Sequence, residues 1–258
     1  MNIICDIRQI AHGIVTGKAR EIFFMKGDFD AGLYEEELNG LKMYPKQLFV
    51  DTVKDVGFNC DLCGRCCTGE YNDHVFLLED DADLIRSIDP SALMPSPYFD
   101  VSDQNGVFYV VGYSLRIKDD DVQSCVFLEN NRCTIYEKRP TICRVYPYMI
   151  HREPDENGRV DWREISGLNE HGTYENKISD EEVEEIYRMT DCYEKKYLEQ
   201  EIAFRKTLRS YFDKNSLRFV RRDHDRLIRK YEKEKKGEVT VMVYHRGGFI
   251  PEKFVIGE

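Results

Sequence analysis

Cysteine thiols are the groups in this 258-residue chain whose spacing indicates chemistry. Four of the nine cysteines, Cys60, Cys63, Cys66 and Cys67, lie within eight residues. Each C-x2-C step lets a short turn bring two thiolates to one metal, and Gly64 gives the backbone the freedom that a tight turn needs. Thiolates select zinc, copper(I) or iron–sulfur clusters over harder cations. The run therefore predicts a metal site.

A second group of cysteines follows as Cys125, Cys133 and Cys143. Residues 129–131, Glu-Asn-Asn, have the composition of a hairpin turn, which would hold Cys125 close to Cys133. Pro140 suits the first turn of a helix, and that turn would let Cys143 close the site. The two groups together supply seven candidate thiolate ligands.

Seven thiolates are too many for one tetrahedral metal ion. One arrangement is a four-cysteine site beside a three-cysteine site, whose fourth position is open or filled by another ligand. The other is a single site with structural cysteines packed around it. The adjacency of Cys66 and Cys67 favours two sites, because neighbouring side chains usually point in different directions.

The order of these motifs resembles the YkgJ-type cysteine-cluster family, which is described as a zinc- or iron-chelating domain. The resemblance covers roughly residues 58–150 and includes the arginine-proline pair before Cys143 and the tyrosine-proline pair after it. Flagellin lysine N-methylases share a similar cysteine signature more distantly. The resemblance implies metal or cluster binding by all seven cysteines. Longer relatives often carry a further cysteine where this chain has Ser166, which puts an eighth thiolate in doubt.

The number and closeness of the thiols favour an iron–sulfur cluster, most simply [4Fe–4S], over zinc. We therefore expect an iron–sulfur protein with a redox or protein-modification role. Zinc is the alternative cofactor, because a structural zinc site needs only four ligands. In that case the protein would be an interaction or assembly module that binds an acidic protein partner.

The sequence leaves open whether the protein is an enzyme, and no catalytic residue is assigned. A radical-SAM motif would need a cysteine where Glu70 stands. Phosphate-cradling glycine loops, metalloprotease motifs and serine-hydrolase elbows are also missing from the sequence. Nucleotide-driven and classical hydrolytic chemistry therefore have no support.

The charge of the chain is unevenly distributed. The formal net charge is −11, yet residues 204–236 carry 13 Lys and Arg against 5 Asp and Glu. Most charged helix faces are simply solvated. Because no nucleic-acid fold signature accompanies the basic segment, we expect a protein partner or substrate rather than a nucleic acid.

Four polar residues within the motif could act on the thiolates. Positive charge or hydrogen bonds near the sulfurs would stabilise an anionic centre, whereas ordinary packing and ion pairs are the plain alternative. The sequence does not separate the two roles. These residues are Arg65, Arg139, Arg144 and Tyr146.

The remaining cysteines and the histidines near the motif are expected to be packed or surface residues. Isolated residues of these types are seldom metal ligands. They are Cys5, Cys192, His74, His151 and His171.

The pattern of elements predicts an α+β protein. Short strands and helices form a cysteine-rich domain, and long helices and a C-terminal strand pair follow it. We predict an N-terminal segment at 1–44, the metal-binding domain at 45–170 and a helical segment with C-terminal strands at 171–258. No apolar run is long enough to span a membrane and no secretion signal is recognisable, so a cytoplasmic location with reduced thiols is expected.

Several local patterns can be placed on individual elements. Ser179 and Glu182 form a capping box that starts a long helix. A second helix is predicted at about 216–235, with Gly237 as its stop, followed by a strand at 238–244. Further short strands are predicted at 74–78, 107–112, 113–117, 146–152 and 160–165.

Overall fold

The computed structural model describes residues 29–72, 74–97, 99–148, 170–234 and 237–256. The helices are α1 (Gly32–Met43), α2 (Lys46–Val56), α3 (Glu79–Ile88), α4 (Thr141–Val145), α5 (Asp180–Lys214) and α6 (Arg221–Glu234). The strands are β1 (Leu93–Pro95), β2 (Val101–Ser102), β3 (Phe108–Val111), β4 (Tyr113–Leu115), β5 (Leu128–Glu129), β6 (Arg132–Cys133), β7 (Gly237–His245) and β8 (Gly248–Ile256). The predicted α+β class, with long helices and a C-terminal strand pair, is confirmed.

A four-stranded sheet in the order β2-β3-β7-β8 joins the middle of the chain to its end. Strands β3 and β7 are parallel, with Phe108 opposite Val241. Strands β7 and β8 form an antiparallel hairpin in which His245 faces Gly248. Alternate residues of β7 are buried, including Val241 and Val243, as its alternating sequence requires.

Helix α5 is the longest element, with 35 residues, and it is the support on which the other helices pack. Its first turn is closed by the predicted capping box: the Ser179 hydroxyl accepts from the Glu182 amide, and the Glu182 carboxylate accepts from the Ser179 amide. Leu198 and Leu208 lie on its fully buried face. Helices α1, α2 and α4 all contact α5. Because α4 carries Cys143, the long helix helps to position one of the candidate ligands.

Some element boundaries differ from the sequence prediction. The segment 74–78 is not a strand: Phe76 forms an isolated bridge with Ser114. Helix α6 begins at Arg221, because Ser216 has a positive φ of 53° and breaks the helical path. Helix α6 is described as far as Glu234, and β7 begins at Gly237 after two residues outside the described ranges.

The predicted strand at 146–152 is wrong over the part that can be compared, because residues 146–148 form no strand after α4 ends. The rest of that segment and the strand predicted at 160–165 lie outside the described residues. The three-part domain division remains a prediction. Within the described ranges, no helix combines the length and the apolar character needed to cross a bilayer.

Candidate metal centre

The first cysteine group lies on an irregular loop that ends in a single 3-10 turn, Arg65–Cys67. The loop reverses direction at Leu62 and Gly64, which have φ values of 60° and 75°. A Cβ on Gly64 would lie 2.7 Å from the carbonyl oxygen of Asn131. Glycine is therefore required here both for the backbone conformation and for the close approach of the loop to the β5–β6 turn.

The second group begins at the β5–β6 hairpin. Its two turn residues, Asn130 and Asn131, both have positive φ, 48° and 61°, which suits a two-residue hairpin. Leu128 is paired with Cys133 across the hairpin. The Cys125 amide donates to the carbonyl oxygen of Cys67 at 2.7 Å, so the hairpin is tied to the first cysteine group. The turn predicted from the sequence is confirmed.

Cys143 lies on the short helix α4, which is anchored by a buried carboxylate. Asp81 of α3 accepts from the Thr141 amide at 3.1 Å and from the Thr141 hydroxyl at 2.9 Å. These bonds satisfy donors at the start of α4 that have no intrahelical partner. Burial raises the pKa of Asp81, although the hydrogen bonds from Thr141 oppose the rise. The carboxylate thus fixes the helix that presents Cys143.

Four thiols, Cys66, Cys125, Cys133 and Cys143, influence one another electrostatically, and we call them the inner thiols. Burial raises the pKa of Cys125 to about 11, and the charges of Cys133 and Cys66 add to the rise. Burial is also the largest cause of the raised pKa of Cys143, followed by the charges of the other three. Burial and Cys66 likewise raise the pKa of Cys133.

These raised pKa values indicate that ionising several inner thiols together is unfavourable when no cation is bound. A bound cation reverses that preference, because it attracts every thiolate and deprotonates its ligands. Four soft sulfur donors are also the full complement of a zinc site or of one four-iron cluster. The donor chemistry therefore fits the metals that thiolates prefer.

The other three cysteines of the motif, Cys60, Cys63 and Cys67, lie around this set, and we call them the outer thiols. Cys60 is exposed, and it adds to the effect of burial in raising the pKa of Tyr136. The Cys63 amide donates to the Asp61 carboxylate at 3.1 Å, and the side chain and amide of Cys63 lower the pKa of Asp61. Cys67 is the largest cause of the raised pKa of Cys66.

Hydrophobic packing holds several of these cysteines in place. Cys125 belongs to the same buried core as Phe108 and Val241 of the central sheet, and Cys67 and Cys133 pack against it. Among the described residues, no three Cys, His, Asp or Glu side chains already form a closed group able to hold a metal ion. Binding therefore requires the sulfurs to draw together, and the seven-cysteine ligand set remains a prediction.

A segment that the sequence did not connect with the motif covers the first cysteine loop. Asn59 and Thr173 exchange backbone hydrogen bonds at 2.8 and 2.9 Å. A Cβ on Gly172 would lie 2.4 Å from the Phe58 ring, so glycine permits this contact. The Gly172 amide also opposes the effect of burial on the pKa of Cys63. No periodicity or spacing indicates such a contact, because it joins residues far apart in the chain.

His171 in this segment is buried next to the motif. Its Nε2 lies 2.9 Å from the Tyr146 hydroxyl, and its ring centroid is 4.8 Å from that of Tyr71. This environment agrees with the expectation of a packed histidine. Cys192 is exposed on α5. Cys5, His151 and Ser166 lie outside the described residues.

Residues 59–166 match the CxxCxxCC family model, “Putative zinc- or iron-chelating domain”. That range contains every cysteine of both groups. We refer to the matched residues 59–166 as the CxxCxxCC domain. The description supports metal binding by this CxxCxxCC domain and names zinc and iron without choosing between them.

The chain has no significant match among curated proteins or among solved structures. The similarity to flagellin lysine N-methylases is therefore not shown. The matched range contains the cysteine motif on which the expected resemblance was based. The segment 170–173, which covers the first cysteine loop, lies just beyond that range.

Proposed function

We propose that the CxxCxxCC domain holds an iron–sulfur cluster, most simply [4Fe–4S], in a protein with a redox or protein-modification role. The observation that carries the proposal is that the two cysteine groups lie together, held by the hydrogen bond of 2.7 Å from the Cys125 amide to the Cys67 carbonyl oxygen. Four thiolates are the number that a four-iron cluster takes from a protein. The cluster would supply one-electron chemistry, while the chain would hold and shield it.

The partial or full burial of the inner thiols supports a protected centre. Cys125 is part of the core, and Cys143 is carried by a helix anchored at Asp81. A metal centre whose ligands come from several elements keeps those ligands oriented. Hydrogen bonds and packing around the ligands have the same effect at metal sites in general. The outer thiols would then act as hydrogen-bonding neighbours or as alternative ligands.

The second candidate is a structural zinc site in an interaction module. It is favoured by the small cavity next to Cys66, Cys67 and Cys125, which has a volume of about 10 Å³, close to the space that one water molecule needs. Four thiolates close around a single zinc ion in less space than a cluster needs. On this alternative, the exposed cations of α6, including Arg222, Arg229 and Lys233, would face an acidic protein partner.

The deciding experiment is anaerobic purification of the full chain with iron, zinc and acid-labile sulfide counted per polypeptide. Matching iron and sulfide, with a broad absorption near ~400 nm, is expected for a cluster. Zinc without sulfide would reject the cluster and support the structural site. Absence of both metals, together with a failure to bind either on reconstitution, would reject metal binding.

A pair of matched variants tests whether the cysteines of the motif carry the metal. Cys143→Ser is expected to lose most of the metal, because the charges of the other three inner thiols act on Cys143. Cys192→Ser is the control, since this exposed thiol lies on α5 outside the family match. Equal metal contents in the two variants would contradict the proposed site.

A further inference from the structure

Helix α6 is fixed to the rest of the protein by one face. Leu227, Ile228 and Tyr231 pack against the buried core of the central sheet. His224 is buried on the same face, where its Nδ1 lies 3.0 Å from the Ser102 hydroxyl oxygen. Because these contacts set the rotation of the helix about its axis, the opposite face of α6 points to solvent.

The outward face of α6 carries a row of cations, which we call the basic stripe. The members of the stripe are all exposed: Arg222, Arg226, Arg229 and Lys233. They are separated by four, three and four positions, which places them on one side of the helix. The row is about 16 Å long at the rise of an α-helix. The stripe is therefore a line of positive charge along the outside of the protein.

Most of this charge is left without compensation. Within the described residues, Arg226 is the only member of the stripe that forms an ion pair, with Asp223 at 3.4 Å. Arg222 and Arg226 lie one turn apart, as do Arg229 and Lys233, and like charges at this spacing repel each other. The chain has 48 acids and places none of them on the stripe. This repulsion does not help α6 to fold, so an anionic partner explains the stripe better than the helix itself does.

The flanks of the stripe favour an acidic protein over a nucleic acid. By their positions in the helix, Asp223 lies on one side of the stripe and Asp225 on the other. A helix inside a groove of DNA has phosphates along both flanks, and these two carboxylates would repel them. The described side chains of α6 include no exposed aromatic ring on which a single-stranded base could stack. An acidic protein segment that lies along the stripe meets the cations first.

The packing of α6 also disfavours a membrane as the partner. A helix that lies in a membrane interface buries its apolar face among the lipids. The apolar face of α6, with Leu227 and Ile228, is already packed against the protein. A lipid surface would therefore meet only the charges of the stripe, without the apolar contribution that such helices use.

We propose that the basic stripe is a docking surface for an acidic protein segment whose carboxylates face Arg222, Arg229 and Lys233. The stripe lies outside the range matched to the family model, so the inference goes beyond the metal centre and holds for either metal. The carboxylates of the partner supply the charge that the stripe lacks and relieve its internal repulsion. Exposed charges of this kind act mainly on the rate of association and on the choice of partner.

The test measures binding of a fluorescein-labelled helical peptide to the full-length protein by fluorescence anisotropy. The peptide carries glutamates separated by four, three and four positions, to match the stripe. A triple variant with Arg222→Gln, Arg229→Gln and Lys233→Gln is expected to bind it roughly tenfold more weakly at about 50 mM salt. The difference should disappear as salt is raised, because mobile ions screen exposed charges.

A control variant removes the same charge from exposed positions outside α6, by Lys42→Gln, Lys177→Gln and Arg188→Gln. It should bind the peptide like the natural protein. The stripe variant should unfold at the same temperature as the natural protein or higher, because like-charge repulsion has been removed. This readout separates docking from a structural role, since a stripe needed for folding would give a lower unfolding temperature.

Charge reversal gives a second check. A variant with glutamate at Arg222, Arg229 and Lys233 should reject the glutamate peptide and bind the same peptide with lysines in place of the glutamates. Failure of this exchange, or equal peptide affinities for the stripe and control variants, would overturn the inference. The metal content of each variant should equal that of the natural protein, and a natural protein without metal would contradict the proposed function alone.

Three other results would replace the acidic protein with a different occupant and so overturn the inference. Tighter binding of a DNA duplex than of the peptide would identify a nucleic-acid surface. Preferential binding of phosphatidylserine vesicles would identify a membrane surface. Self-association of the natural protein that the stripe variant loses, measured by analytical sedimentation, would identify a second copy of this chain.

Discussion

Asp81 and Thr141 are joined by two hydrogen bonds, of 3.1 and 2.9 Å, that connect the first turn of α3 to the first turn of α4. The carboxylate is buried, and the helix it anchors carries Cys143. A residue 60 positions away in the chain therefore helps to decide where one inner thiol lies. Asp81 is not a candidate ligand, yet the site depends on it.

Replacing Asp81 with alanine should destabilise the protein. The change removes the cap of α4 and leaves the Thr141 donors without a protein acceptor, which typically costs about 1–2 kcal/mol. Urea unfolding of the metal-free protein measures the loss, and metal affinity should fall as well because Cys143 is less well positioned. Asp119→Ala, an exposed acid, should leave both values unchanged. Equal stability of the two variants would show that the cap is unimportant.

The inner and outer thiols should respond differently to substitution. Cys66→Ser is expected to abolish stoichiometric metal binding, because Cys66 acts on all three other inner thiols. Cys60→Ser should retain most of the metal, since Cys60 is exposed and is not among the charges that act on Cys125, Cys133 and Cys143. Metal content after equilibrium dialysis distinguishes them. Loss of metal in both variants would instead place Cys60 among the ligands and support the larger ligand set.

Gly64→Ala should destabilise the first cysteine loop. The new Cβ would meet the Asn131 carbonyl at 2.7 Å, and the residue would have to keep a φ of 75°. Strain of this kind costs on the order of 1–3 kcal/mol. Gly40→Ala in α1 is the control: no atom lies within 4 Å of the point that a Cβ would occupy there, and alanine is favoured in helices by about 0.5–1 kcal/mol. Thermal unfolding of both variants would reveal opposite shifts, and similar shifts would disprove the loop contact.

A buried carboxylate far from the cysteines predicts a pH dependence of stability. Burial raises the pKa of Glu201 to about 7, while the nearby Arg205 opposes the rise. Because the folded state holds this proton more tightly than the unfolded state, the contribution of Glu201 is most favourable at low pH. It is lost progressively as the pH rises from about 4.5 to about 7.

Glu201→Gln should flatten this part of the stability profile, because the substituted side chain does not titrate. The free energy of unfolding, measured in urea at several pH values between about 4.5 and about 8, gives the slope for each protein. Glu199→Gln lies two positions away and is exposed, so its profile should follow that of the natural chain. A Glu201→Gln profile parallel to that of the natural protein would refute a raised pKa.

Sequence patterns predicted the structure correctly where it depends on residues that are close together in the chain. The turn at Asn130-Asn131 follows from the tolerance of asparagine for positive φ, and the capping box at Ser179 follows from hydrogen bonds within one helical turn. The strand β7 follows from alternating valines. The same local limits explain the error at 74–78, where pairing partners decide whether extended residues become a strand.

The cysteine spacing by itself predicted the match of residues 59–166 to the CxxCxxCC family model and a thiolate metal site as the expected chemistry. Tertiary structure decided how the segment 170–173 covers the first loop and how the Cys125 amide ties the second cysteine group to Cys67. Turn and helix preferences depend on neighbouring residues, and the sequence displays them directly. The division between inner and outer thiols arises from burial and from contacts such as Asp81 with Thr141, which exist only after distant parts of the chain have packed together.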